Sequence, residues 1–175
     1  LPIDQKKMIQ STQWVGYLSS TSVYGNKNGQ WVFEDELLYP STIRGKERLN
    51  AEIQWLEIGA PMHIFRLAGI YGPNRNNFQK IKQNKAQNII KEGHVTNRVH
   101  VSDVANAILT SIANPDPYKI YNISDGNPAP PQDVINFSAH LLGISTPPLI
   151  EYEGLELPAK KKSFYQETKR VSNDR

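Results

Sequence analysis

An apolar run near the start of the chain ends abruptly in hydroxyls. Trp14-Val15-Gly16-Tyr17-Leu18 is almost continuously hydrophobic and gives way to Ser19-Ser20-Thr21-Ser22. A short apolar run bounded by small polar residues predicts a strand covered on both faces, as in a parallel sheet, with its carboxyl end opening on a site. Val23-Tyr24-Gly25 then leads into the turn Asn26-Lys27-Asn28-Gly29, the brief apolar stretch Trp31-Val32-Phe33 and the acidic loop Glu34-Asp35-Glu36. From Ser41 the period changes. Leu49, Ile53 and Leu56 fall at i, i+4 and i+7, a helical stripe stopped by Gly59 and Pro61. A second apolar run, Ile64 to Ile70, predicts a strand entering Tyr71-Gly72-Pro73. Strand, helix and strand at this spacing predict a βαβ crossover.

The second half is more polar. Residues 74–98 are irregular, with a short helix predicted near Phe78 to Gln83. Val99-His100-Val101 predicts a small strand. Ser102 or Asp103 is the expected cap of the next helix, whose apolar positions are Val104, Ile108 and Leu109. Ile120-Tyr121-Asn122-Ile123 predicts another strand. Pro131 suits the first turn of a helix with the stripe Val134, Phe137 and Leu141, and Gly143 suits its exit. The fold class implied is α/β: part of a doubly wound, Rossmann-like parallel sheet with a small α+β portion.

Composition narrows the classes of function. At 175 residues and 38% hydrophobic, the chain has material for one core. Twenty Lys and Arg against 17 Asp and Glu leave a charge of +3, no mandate for nucleic acid or a membrane surface. The absence of cysteine removes disulfides, thiolate metal sites and a cysteine nucleophile, and fits the cytoplasm. The four histidines lack metal-ligand spacing. Lys160-Lys161-Lys162 reads as solvated surface, although Tyr152, Phe164 and Tyr165 nearby give a nucleic-acid surface its only foothold.

Four blocks resemble a known family. Tyr17-Leu-Ser-Ser-Thr-Ser-Val-Tyr-Gly25 is similar to the central segment of the extended short-chain dehydrogenases/reductases, the NAD-dependent epimerase/dehydratase family. Phe65-Arg-Leu-Ala-Gly-Ile-Tyr-Gly-Pro73 resembles that family's strand-six motif. Arg98-Val-His-Val-Ser-Asp-Val-Ala105 resembles its "HVxDxA" block, and Ile120-Tyr-Asn-Ile-Ser-Asp125 the strand that follows. The resemblance spans residues 14–143. It implies NAD or NADP as cofactor and hydride and proton transfer at a sugar or alcohol carbon, as in nucleoside-diphosphate-sugar epimerases, dehydratases and reductases. Ser20 takes the position of the catalytic Ser/Thr. Ser19, Ser20, Thr21, Arg48, Ala68, Gly69 and Ile70 fall at cofactor positions, and Ser20, Tyr71 and Arg98 at substrate positions.

The departures from the family pattern are equally specific. With Ala51-Glu52 as anchor, Arg44 and Arg48 stand where the family has its Tyr and Lys. Arginine stays protonated, so neither can be the acid/base. The pair is either a solvated helix face or a pair facing the cleft to bind an anion such as phosphate or carboxylate. Tyr165 and Lys169 form the one Tyr-x-x-x-Lys, about 140 residues beyond the serine strand, and read as a chance match. Gly69 replaces an asparagine found in many members. No GxGxxG occurs. The chain therefore reads as the later portion of such a protein: residues 1–73 end the dinucleotide-binding domain, and residues 74–175 are mostly substrate-binding, with segments near 99–125 returning to the sheet. NAD or NADP is then expected of the whole protein, with none held by this chain alone. An unpaired edge on the first strand predicts self-association, as a homodimer or larger. Loss of the dyad supports a second reading, a non-catalytic nucleotide-binding or scaffold protein of the same fold.

Overall fold

In the computed structural model, which describes residues 2–175 apart from the Lys160 side chain, the chain opens with α1 (Ile3–Gln10) and β1 (Val15–Ser20). A single 3-10 turn (Thr21–Tyr24), β2 (Trp31–Val32), α2 (Ile43–Leu56), β3 (Met62–Leu67) and β4 (Gly69–Tyr71) follow. The second half comprises α3 (Asn77–Lys82), β5 (Asn88–Ile90), β6 (Arg98–His100), α4 (Val101–Ala113), β7 (Ile120–Ile123), α5 (Pro131–Leu141), β8 (Leu149–Glu151), α6 (Ala159–Phe164) and β9 (Arg170–Val171).

The main sheet has the order β1-β3-β7, all parallel, with Ser20 opposite Leu67 and Leu67 opposite Ile123. Central β3 is buried along its whole length. Alternation divides its side chains between two layers. Met62 joins Ile58 and Ala60 with Val15, Tyr17 and Trp55 on one face, while Phe65 and Leu67 join Val99, Val104 and Tyr121 on the other. Three two-stranded parallel sheets, β2-β9, β4-β6 and β5-β8, surround it. No described helix is long and apolar enough to cross a membrane.

Several expectations change. The run Ile64 to Ile70 is two strands. Ala68 N–H still reaches Ile123 O, but Gly69 N–H donates to Asn97 O, so the chain switches to a different partner strand after Leu67. The cap of α4 is His100, whose Nδ1 accepts the Ser102 N–H, and Asp103 lies in the first turn. The helical stripes hold only in part: Leu49, Val104 and Ile108 pack into the core as expected, and others do not. Ile53 and Leu56 on α2, Leu109 on α4, and Phe137 and Leu141 on α5 are exposed, while Gly45, Glu52, Ser111, Ser138 and Ala139 are buried. Close approach explains the glycine. A Cβ on Gly45 would lie 2.8 Å from both Pro40 Cβ and the Ser22 carbonyl oxygen, so only glycine lets α2 sit against the 3-10 turn. α1, β5, β8, α6 and β9 lay outside the expected elements.

Candidate active-site cleft

β1 delivers Ser20 at its carboxyl tip, beside the parallel strand β3. The Ser20 side chain turns the chain there by accepting the Ser22 N–H at 3.2 Å, which leaves its own O–H free to donate. Thr42 caps α2 by accepting the Gly45 N–H at 3.1 Å, and this aims the first two turns of the helix along the end of β1. Tyr17, Ser20, Ser22, Arg44, Glu47, Arg48 and Ala51 thus line an open cleft of about 280 Å³. The structure brings Ser20, Arg44 and Arg48 together.

The two arginines differ. Arg48 Nη1 donates to the Tyr17 hydroxyl at 3.1 Å and to the Leu18 carbonyl at 3.2 Å, and the guanidinium lies 5.8 Å from the centre of the Tyr17 ring. Arg44 is exposed and makes no hydrogen bond or ion pair among the described residues.

Beneath the cleft lies a buried polar network that the sequence pattern did not announce. The Ser19 hydroxyl turns inward and donates to Glu52 Oε1 at 2.5 Å. Glu52 pairs with Arg66 through two hydrogen bonds, 2.9 and 3.2 Å. Arg66 also donates to the Tyr24 hydroxyl at 3.0 Å and to the Glu34 carbonyl at 3.0 Å. Tyr24 donates to Asn122 Oδ1, and Glu34 accepts the Asn122 N–H. Burial opposes the charge on Arg66, but the Glu52 carboxylate outweighs it and holds the guanidinium pKa above its ordinary value. Burial raises the Tyr24 phenol although Arg66 pulls it down. The network fixes the serine strand, the 3-10 turn and the start of the acidic loop to β3 and β7. The one signal of it in the sequence was a charged residue, Arg66, inside an otherwise apolar strand.

The other site residues lie outside this cleft. Ala68 is buried in the Phe65 cluster, with Ile70 packed against it. Tyr71 meets the His100 ring edge-on at 5.3 Å. Arg98 is already engaged: it pairs with Asp125 at 3.2 Å and donates to Asn127 O at 2.5 Å, holding the loop after β7. Thr21 opens the 3-10 turn, and Gly69 opens β4. Tyr165 and Lys169 have separate structural tasks. Tyr165 is buried against Tyr152 and His94 with its phenol pKa raised by burial, and Lys169 donates to Gly25 O at 2.6 Å and to Glu167 at 3.0 Å. The Lys160 side chain lies outside the described residues. Its neighbour Lys161 donates to Gln87.

A dinucleotide's pyrophosphate needs main-chain N–H groups at a glycine-rich strand-to-helix turn. No strand-to-helix turn among the described residues has three closely spaced glycines. The described residues do not supply that pyrophosphate cradle.

No protein-family model and no curated protein matches the chain. Solved structures do. A functionally unknown conserved protein from Silicibacter pomeroyi DSS is 45% identical over 98% of this chain and 61% of its own, with a TM-score of 0.91. A putative NAD-dependent epimerase/dehydratase from Methylobacillus flagellatus is 30% identical over 92% of this chain and 55% of its own, with a TM-score of 0.66. The chain shares the fold of NAD-dependent epimerase/dehydratase structures. Another structure of this family, the UDP-glucuronic acid 4-epimerase of Bacillus cereus in complex with NAD, shares the fold at 18% identity. It matches over 97% of this chain and 56% of its own, with a TM-score of 0.73. The chain thus spans 55–61% of the length of these structures.

Proposed function

We propose that this chain supplies the substrate side of an NAD(P)-dependent oxidoreductase of the epimerase/dehydratase kind. Its substrate is a nucleoside-diphosphate sugar or a related alcohol, and Ser20 donates to the reacting oxygen. The observation that carries the reading is the placement of the Ser20 hydroxyl, free to donate, at the tip of β1 in a cleft faced by α2. Two tests follow. Calorimetric titration of this chain with NAD(H) and NADP(H) is expected to show no micromolar binding; micromolar affinity would mean that the grip on the cofactor lies within these residues. In a protein that contains this chain and turns over, Ser20→Ala is expected to lower kcat about 10²–10³-fold, the usual effect of removing one donor to a developing oxyanion. An unchanged kcat would refute the role.

The replacement of the Tyr/Lys dyad by Arg44 and Arg48 favours a second reading, a binding or scaffold protein without turnover. Such a protein would bind NADP(H) yet leave its redox state unchanged across a panel of alcohols and sugars.

A further inference from the structure

Arg44 and Arg48 line one cleft but are differently occupied, and the difference bears on the ligand. Arg48 is tied to β1 through Tyr17 and Leu18. Its hydrogen bonds hold the strand tip and the phenol in place. Arg44, one turn nearer the start of α2, keeps all five N–H donors unused among the described residues. Around it the cleft offers more donors. Ser20 O–H is free to donate, and the Ser22 hydroxyl makes no hydrogen bond among the described residues. Glu47 is the only carboxylate in the lining and has no ion pair among the described residues; it stands on the same helix, three positions after Arg44. Two guanidinium groups against one carboxylate leave the cleft net positive.

Position adds an independent argument. The cleft lies outside the carboxyl end of a parallel strand, where open α/β sheets take their ligands. A neutral ligand covering Arg44 would strip water from a charge and give no acceptor of matching charge in return. A carboxylate or phosphate would accept two parallel N–H bonds from the guanidinium fork.

We propose that the cleft takes an anionic small molecule, bearing a carboxylate or phosphate beside the reacting carbon, which Arg44 grips as its specificity residue while Ser20 donates to the neighbouring oxygen. This rests on the reading that the Ser20 cleft is the substrate site, and it narrows the substrate class to those carrying a charge at that end.

The test needs no cofactor and no turnover. Glucose, glucuronate and glucose 6-phosphate share one ring and differ in having no anion, a carboxylate or a phosphate. Binding to the chain is measured by calorimetry at low salt. At least one anion is expected to bind at least tenfold more tightly than glucose, and which of the two does so separates carboxylate from phosphate. Arg44→Ala is expected to abolish that preference. Arg44→Lys should retain part of it, since an ammonium keeps the charge without the fork. Lys46→Ala, on the same helix and outside the cleft lining, is expected to leave the preference intact, which separates the cleft from diffuse surface charge. Equal binding of glucose and both anions, an unaltered preference in Arg44→Ala, or failure of both anions to bind at millimolar concentration would each overturn the proposal. Because the readout is binding alone, absence of redox turnover refutes only the proposed function. Turnover of a neutral sugar without anion preference refutes only this inference.

Discussion

Arg66 sits in β3, a strand buried on both faces, with its guanidinium 2.9 Å from the Glu52 carboxylate and both side chains almost fully enclosed. Removing each ion from water costs several kcal/mol, and the pair survives only because each guanidinium nitrogen has an acceptor: Glu52, Tyr24 or the Glu34 carbonyl. Truncating one partner should therefore be far worse than replacing both. Arg66→Met is expected to lower unfolding stability by about 3–5 kcal/mol in urea denaturation, because Glu52 is left buried and uncompensated. The double variant Arg66→Met with Glu52→Leu should recover a large part of that loss. A single variant costing under about 1 kcal/mol would mean that Glu52 reaches water in the folded chain. At this scale the sequence was legible where local order carries the information. The end of β1 at Ser20 was legible because four hydroxyl residues terminate an apolar run, while the role expected of Ser20 came from the family resemblance alone. The Arg66–Glu52 pair was not legible, because the partners are 14 residues apart and on different elements. Glu52 was legible only as the acidic residue of the helix pattern on α2, and the hydroxyl of Ser19, an expected cofactor position, donates to its carboxylate.

Helix spans were more legible than helix faces. α2 begins close to the expected Ser41 and ends at Leu56, yet Ile53 and Leu56 point outward. Apolar spacing shows that a segment is amphipathic, but small or hydrogen-bonded residues can take the innermost positions. Gly45 does so by close approach, and Ser111 does so by accepting the Trp14 indole N–H at 3.0 Å. Gly45→Ala is accordingly expected to destabilise the chain by about 1–3 kcal/mol through overpacking, read as a lower urea midpoint with unchanged slope. An alanine there that stabilises, as helix propensity alone would require, would show that α2 can move away from Ser22. The loop between β5 and β6 supplies a pH-dependent case. His94 is buried with neither ring nitrogen hydrogen-bonded among the described residues, and it is packed on Phe164 and Tyr165 with ring centres 5.5 and 5.0 Å away. Burial first, then the ammonium groups of Lys91 and Lys169, lower its pKa from 6.5 to about 4. The unfolded chain takes up this proton near pH 6.5 and the folded chain only near pH 4. The contribution to stability is therefore complete above pH 6.5, is lost progressively as the pH falls from 6.5 to 4, and changes no further below that. The loss amounts to at most about 3 kcal/mol. Thermal unfolding at pH 7.5 and 4.5 is expected to show a smaller drop in Tm for His94→Phe than for the unaltered chain; equal drops would assign the acid sensitivity to other groups.

Across the whole molecule, the order β1-β3-β7 follows from the strand–helix–strand rhythm, because crossovers between parallel strands are long and of one hand. The small sheets do not follow from it. Trp31 pairs with Arg170, and Asn88 with Leu149, so strands of two or three residues are created by contacts that no local period encodes. The remaining consequence concerns the outer edge of β1. Its inner edge pairs with β3, while no strand among the described residues pairs with the outer one, where Arg48 satisfies only the Leu18 carbonyl. Leu18 is 45% exposed, and Ile53 on the flanking helix is 46% exposed. An open strand edge beside uncovered apolar side chains is a template for pairing with another chain. Self-association of this chain is the expected outcome, seen by light scattering as a mass that rises with concentration toward a dimer or larger. Leu18→Lys should weaken it. Covering one leucine is worth about 1.5–3 kcal/mol, which converts to roughly a ten- to hundredfold change in dissociation constant. The lysine also places on the edge the kind of charge that natural sheets use to block pairing. A chain that stays monomeric at every concentration would remove the edge as an interface. Association unaffected by Leu18→Lys would move the interface to another surface, with the exposed Leu109 and Ile112 of α4 the next to substitute.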